Sequence, residues 1–259
     1  MIVDCHTHLH CAERSVPAED HRRACAGVDA CFVLAGVGAD REAANGELTT
    51  YVRQTPKAYG FAAVNPAVDD ISAKRLKALT KEERMAGLVL YCAEDDFHPA
   101  HSRALQLYEA AEALGLVVFF HNCPPFSPSA ALDYAQPWLL DEAARTFPKL
   151  RIIIGRMGLP FQSQTLCLLG KHENVFADLT IHPQKTWQVY NLVMEAYEAG
   201  VMDKLLFGSG FPYAEPGQCI EMLLGFNKIL ADTHLPQVPR EKLRSIVERD
   251  SLAALKIKS

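Results

Sequence analysis

The stretch LLFGSGFPY, residues 205–213, joins a short apolar run to a loop of small residues. Leu205, Leu206 and Phe207 have no polar residue among them, which is how a strand buried on both faces reads. Gly208, Ser209, Gly210, Phe211 and Pro212 then form the loop that leaves it. Seven more runs of the same character occur at 2–6, 31–35, 59–64, 87–91, 117–121, 152–155 and 175–179, which with 205–208 makes eight.

Helical patterns lie between them. In AHSRALQLYEAAEALG (100–115), Leu105, Tyr108, Ala111 and Leu114 share one face and Gly115 is a C-terminal stop. In KTWQVYNLVMEAYEAG (185–200), Trp187, Tyr190, Val193, Met194 and Tyr197 do the same before Gly200. Pro137 and Pro239 stand where first-turn prolines belong. Alternating strands and helices with short connections imply right-handed crossovers and a parallel sheet. Eight such units in 259 residues predict an α/β fold of the closed (β/α)8 TIM-barrel type. No GxGxxG follows the first strand and no P-loop occurs, which lowers an open nucleotide-binding sheet. The expectation is one domain over 1–259, with closing helices from about residue 239.

A net charge of −5 without a basic stripe argues against nucleic acid as a partner. No apolar run reaches the roughly 20 residues that span a bilayer. No basic-then-apolar leader precedes the first strand. The eight cysteines show no CxxC pairing, so reduced thiols and a cytoplasmic location are expected.

Barrel chemistry gathers at the C-terminal strand ends. The first strand ends Asp4-Cys5-His6-Thr7-His8, and alternation puts His6 and His8 on one side with Cys5 turned away. The fifth ends Phe120-His121-Asn122-Cys123, and the sixth Gly155-Arg156-Met157-Gly158. A His-x-His pair plus a third histidine from across the barrel is a zinc ligand set that leaves a fourth position open. His10 is a weaker candidate. His21, His98, His101, His172, His182 and His234 read as solvated or locally capping.

These pieces resemble the amidohydrolase superfamily, in the branch that holds aminocarboxymuconate-semialdehyde decarboxylase and the 2-pyrone-4,6-dicarboxylate lactonases. The matching stretches are VDCHTHL, AAEALGLVVFFHN, FPKLRIIIGRMG, HENVFADLT and DKLLFGSGFPY, in the family's order along the whole chain. The resemblance implies a metal-assisted hydrolase or decarboxylase acting on a small anionic or carboxylated compound. It implies His6, His8 and His121 as ligands of one divalent metal, zinc by preference, and homodimers are common among the members. The pattern then fails twice. Arg156 stands where relatives carry a proton-handling histidine, and Gly210 where they carry an aspartate. The fourth strand, GLVLY, offers no lysine to bridge two metals.

The two changes make the site more positive by about two charges. Each is worth about 3–4 kcal/mol at roughly 4–6 Å and an effective dielectric near 20. That opposes a divalent cation, so the metal is expected to be weakly held or absent, and it favours an anion seated on Arg156. The catalytic acid or base stays unassigned. Glu215, beyond the strand-eight loop, is the preferred substitute carboxylate over Asp178, Glu94, Asp95 and Asp96, which read as solvated or structural. Cys123 as a thiol nucleophile yields to a plain buried cysteine. The loop NCPPFSPSAALDY is stiffened by Pro124, Pro125 and Pro128, and Phe126 and Tyr134 are expected to wall the pocket. Two classes stay open: a metal-dependent enzyme with an altered proton-transfer set, and a metal-free anion-binding barrel, a pseudoenzyme.

Overall fold

The computed structural model describes residues 1–11, 14–37, 40–122 and 124–258. Its eight main strands are β1 Val3–Thr7, β2 Ala30–Leu34, β3 Ala58–Ala63, β4 Met85–Leu90, β5 Val117–Phe120, β6 Arg151–Ile154, β7 Val175–Thr180 and β8 Leu205–Gly208. All pair in parallel and in sequence order. The strands read from the sequence lie within two residues of these. β1 and β8 meet through a parallel bridge between Thr7 and Phe211, with His8 N–H donating to Phe211 O at 2.9 Å and Gly210 N–H to His6 O at 2.9 Å. The result is a nearly closed (β/α)8 barrel.

The helices among the described residues are α1 Ala18–Ala24, α2 Arg41–Gln54, α3 Ala73–Leu79, α4 Ser102–Leu114, α5 Asp141–Thr146, α6 Gln162–Lys171, α7 Thr186–Glu198, α8 Pro216–Leu224, α9 Arg240–Val247 and α10 Ser251–Ala254. None is long and apolar enough to cross a membrane. Local chemistry sets several ends. Asp40 accepts from Ala43 N–H at the start of α2, and Gly115 ends α4 at φ 70°. The buried face of α4 is Ala104, Leu107, Tyr108 and Ala111, so Leu105 and Leu114 lie at its margin. On α7, Trp187 is exposed and stacks on Tyr190, which in turn stacks on Phe226. Pro239 immediately precedes α9, whose Leu243, Ile246 and Val247 are buried, and Cys5 faces the region covered by α10.

The barrel interior is aromatic below the mouth. Phe32, Phe61 and Phe119 pack in a row with centroids 5.0 and 6.1 Å apart, and His6 meets Phe119 edge-on at 5.3 Å. Gly87 makes this possible, because a Cβ there would fall 2.6 Å from the Phe61 ring and 2.2 Å from Val117 O. The opposite end of the barrel is tied by cations on backbone carbonyls. Lys57 Nζ donates to Val28 O at 2.8 Å, Lys204 Nζ to Glu173 O at 2.8 Å and Arg249 Nε to Leu205 O at 3.1 Å. That end holds the barrel shut, and the C-terminal end is left for chemistry.

Candidate active site

Strand alternation brings the three histidines together. His6 and His8 leave β1 on its inner side, and His121 follows Phe119 on the inner side of β5 while Phe120 turns outward to Tyr108. His6 Nε2 lies 3.2 Å from His8 Nε2 and 3.1 Å from His121 Nε2. Outer partners fix the tautomers. His8 Nδ1 is 3.1 Å from Leu34 O, a carbonyl that can only accept, so the proton sits on Nδ1. His6 Nδ1 is 3.0 Å from Asp178 Oδ2 and 3.2 Å from Thr180 Oγ1, which itself donates to Asp178. Both Nε2 lone pairs are thereby aimed inward. Burial, then the charge of His6, holds the His8 and His121 pKa values well below the ordinary range, with Arg156 adding to both.

Such a donor set fits a divalent ion. Zinc–nitrogen bonds of about 2.0–2.1 Å in tetrahedral geometry place the nitrogens roughly 3.3–3.4 Å apart, close to the spacing here. The Asp178–His6 pair is the outer-shell contact that orients a ligating imidazole and raises its basicity.

Arg156 sits in the turn Gly155–Gly158 with φ 47° and ψ 42°, a left-handed conformation costly for a residue with a side chain. Its N–H donates to Asp178 Oδ2 at 2.8 Å, which anchors that turn to the His6 partner. The guanidinium bonds Pro124 O through Nη1, and the side chain lines the same cleft as the three histidines. Its Nε is buried without a hydrogen-bond partner. Tyr91, Phe126, His182, Gly210 and Tyr213 complete much of the wall. The cleft encloses about 660 Å³ including space open to solvent.

A family model described as amidohydrolase matches residues 3–248. The chain belongs to the amidohydrolase family. Solved structures agree on the fold. A protein described as a probable 2-pyrone-4,6-dicarboxylic acid hydrolase from Acinetobacter baumannii, with citric acid bound, is 15% identical over 98% of this chain and 99% of that one, at a TM-score of 0.66. The 5-carboxyvanillate decarboxylase of Sphingomonas paucimobilis is 13% identical over 99% of each chain, at 0.68. An amidohydrolase from Burkholderia multivorans with bound zinc is 8% identical over the full length of both, at 0.75. A search of curated proteins returns no match.

Within this member of the amidohydrolase family the substitute carboxylates separate clearly. Glu215 is exposed at the start of α8 and lines a different surface groove, beside Asp20 and Arg23, so the expectation that it serves the mouth is corrected. Its position after Pro212 and Ala214 carries it outward. Glu94 lines the cleft but accepts from Ser127 N–H at 2.9 Å and from its hydroxyl. Asp95 is paired with Arg41 at 3.2 Å, and Asp96 is exposed. Asp178 is the buried carboxylate at the triad, and its hydrogen bond is to a candidate ligand rather than to inert scaffold. It offsets part of the positive charge that the sequence alone assigns to the mouth.

His10 lines the cleft and bonds Glu47 at 2.8 Å. Phe126 walls the cleft as expected, whereas Tyr134 packs on His98 outside it. His101 caps α4, as read from the sequence. Two other histidines differ from that reading. His21 is fully buried between Tyr51 Oη at 2.7 Å and Thr7 Oγ1 at 2.8 Å. His182 is buried in the cleft wall. The signal for it is the period-two series Asp178, Thr180, His182, which continues the inner face of β7 past its last residue. Cys123 lies outside the described residues, and Cys5, Cys25, Cys31, Cys92, Cys167 and Cys219 are free thiols.

Gly210 has its own structural reason. Its φ is 67°, its N–H ties the loop to His6 O, and a Cβ would come within 2.7 Å of Thr180 Cγ2. An aspartate here would be strained. Asp4 secures the same junction, accepting from Ser209 N–H at 2.9 Å and His6 N–H at 3.2 Å, and burial pushes its pKa up to about 6.

Proposed function

We propose that this amidohydrolase is a mononuclear metal-dependent enzyme that hydrolyses or decarboxylates a small carboxylated compound. The observation that carries the reading is that His6 Nε2 lies 3.1–3.2 Å from the Nε2 atoms of both His8 and His121, with the other ring nitrogen of His6 and of His8 fixed by an acceptor. His6, His8 and His121 would hold the ion, zinc by the chemistry of the donor set. When bound, the ion supplies Lewis acidity to a substrate oxygen or to water. Asp178 keeps His6 in the ligating tautomer. Arg156 receives the substrate carboxylate, since it lines the cleft with the three histidines and a guanidinium binds a planar anion through parallel hydrogen bonds. The aromatic floor of Phe119 and Phe61 and the wall of Tyr91 and Phe126 exclude water and pack the apolar part of the substrate.

A second reading is favoured by the Arg156 cation in the cleft wall together with the absence of a carboxylate at Gly210: a metal-free barrel that binds a small anion. Metal analysis of protein purified without chelator separates the two. About one equivalent of zinc, manganese or iron, retained or taken up on titration, supports the enzyme. Less than about a tenth of an equivalent with no uptake would overturn it and leave the anion-binding barrel.

A further inference from the structure

The proposed reading leaves proton transfer without a carrier. Arg156 stays charged at any relevant pH and Gly210 has no side chain. His10 is engaged by Glu47, and Glu94 by Ser127. His182 differs from both. It is 9% exposed, lines the cleft with Arg156 and Tyr213, and neither of its ring nitrogens hydrogen-bonds another described residue. Its nitrogens are not sealed off, so they are open to whatever enters the cleft. Arg156, also 9% exposed, lines the same cleft. A cation and an imidazole without a protein partner on one cleft wall suit one ligand that meets both, and the positive charge of Arg156 makes that ligand an oxyanion.

The charges around His182 set its response. Arg156 faces it from the turn after β6, Lys185 from its own loop, His6 from β1 and Asp178 from β7, while the Tyr213 ring lies 6.3 Å away on the loop after β8. Burial first, then Arg156, lowers its pKa to about 4, so the ring is neutral in the empty cleft near neutral pH. An anion on Arg156 places the opposite charge beside the ring and relieves that repulsion.

We propose that His182 is the proton carrier of the cleft, taking up one proton when an anion seats on Arg156. The proton comes from the acid form of the buffer, whose conjugate base stays in solution, and the imidazole becomes an imidazolium held against the bound anion. That imidazolium is the proton donor that the replaced strand-six histidine no longer supplies. The inference rests on the Arg156 reading above.

Calorimetric titration of the purified protein with malonate at about pH 5.5, in two buffers of different ionisation enthalpy, tests it. The expected result is uptake of about one proton more per malonate than in His182→Gln, a difference that cancels the titration of malonate itself, and the variant still binds malonate at about pH 7.5. Binding with the same proton uptake in both proteins would overturn the role of His182 and leave Arg156 standing. Binding unaffected by Arg156→Ala, or no binding of malonate, overturns the Arg156 reading and this one with it. A measurement on the unaltered protein guards against a variant that fails to fold. The nitrogen-15 shifts of the His182 ring at about pH 5.5 should move to the charged form on adding malonate, and unmoved shifts sink the proposal.

Discussion

Two clusters of metal-ligand side chains lie on opposite sides of β1. On the inner side His6, His8 and His121 bring their Nε2 atoms to 3.1–3.2 Å. On the outer side His21, Cys25 and Cys31 also gather within metal-binding reach, and all three are buried. Residue type and burial do not tell them apart; the outer contacts of each ring do. His21 has both nitrogens engaged, with Thr7 Oγ1 on Nε2 and Tyr51 Oη on Nδ1. Thr7 donates to Phe32 O at 2.6 Å, so it accepts from His21, and the tautomer is closed without an ion. The inner rings spend only one nitrogen on the protein where their partners are seen, and aim the other at one point. Converging lone pairs mark a ligand site, and a satisfied network marks scaffold.

The comparison breaks most sharply at the ligands. His121→Ala should drop bound metal from about one equivalent to below about a tenth, while His21→Phe should leave it unchanged, both read by metal analysis. Loss of metal in the His21 variant would mean that the outer cluster is the true centre. Asp178→Asn should weaken metal affinity by about 10- to 100-fold in a competition titration, since it loses the carboxylate charge behind His6 and one of the two oxygens shared among His6, Arg156 N–H and Thr180. An unchanged affinity would reduce that carboxylate to a support for the Arg156 turn.

His21→Phe should instead cost about 1–3 kcal/mol in chemical denaturation, because the Tyr51 hydroxyl loses its acceptor on His21 and Thr7 Oγ1 loses its donor. Its titration has a defined sign. Burial first, then Arg22, lowers the His21 pKa to about 4, below the ordinary 6.5. The unfolded chain therefore binds the extra proton first, and the stability from keeping His21 neutral is present above about pH 6.5 and is lost as pH falls towards 4. Unfolding curves across that window should be flatter in the variant. The smallest effect belongs to Glu215→Gln, which should leave metal content unchanged and stability within about 0.5 kcal/mol.

The strands and their order were legible because residues such as Val117–Phe120 are buried on both faces and carry no competing pattern. The ligand histidines were legible for a related reason, since alternation alone puts His6 and His8 on one side. Helix faces were less so. On α4 Tyr108 and Ala111 are buried as read, but Ala104 and Leu107 take the place of Leu105 and Leu114, because Ala104 buries as completely as Leu107 while a hydrophobic pattern gives it less weight. Glu215 was favoured for its nearness in sequence to Gly210, but a short loop can turn a side chain out of the mouth within five residues. His182 was passed over because the seventh strand was ended at Leu179, one residue before the observed end, which hid its register with Asp178 and Thr180.

The sequence by itself determined the barrel, the three histidines at its mouth, and Arg156 and Gly210 just past the ends of the sixth and eighth strands. Periodicity and order along the chain are local properties, and they survive in one dimension. Tertiary structure alone decided which nitrogen of His6 and of His8 the protein engages, that Asp178 stands behind His6, and that His182 shares a cleft with Arg156. Those relations join residues from β1, β6 and β7 across as many as 172 positions, and only the closing of the barrel sets their distances.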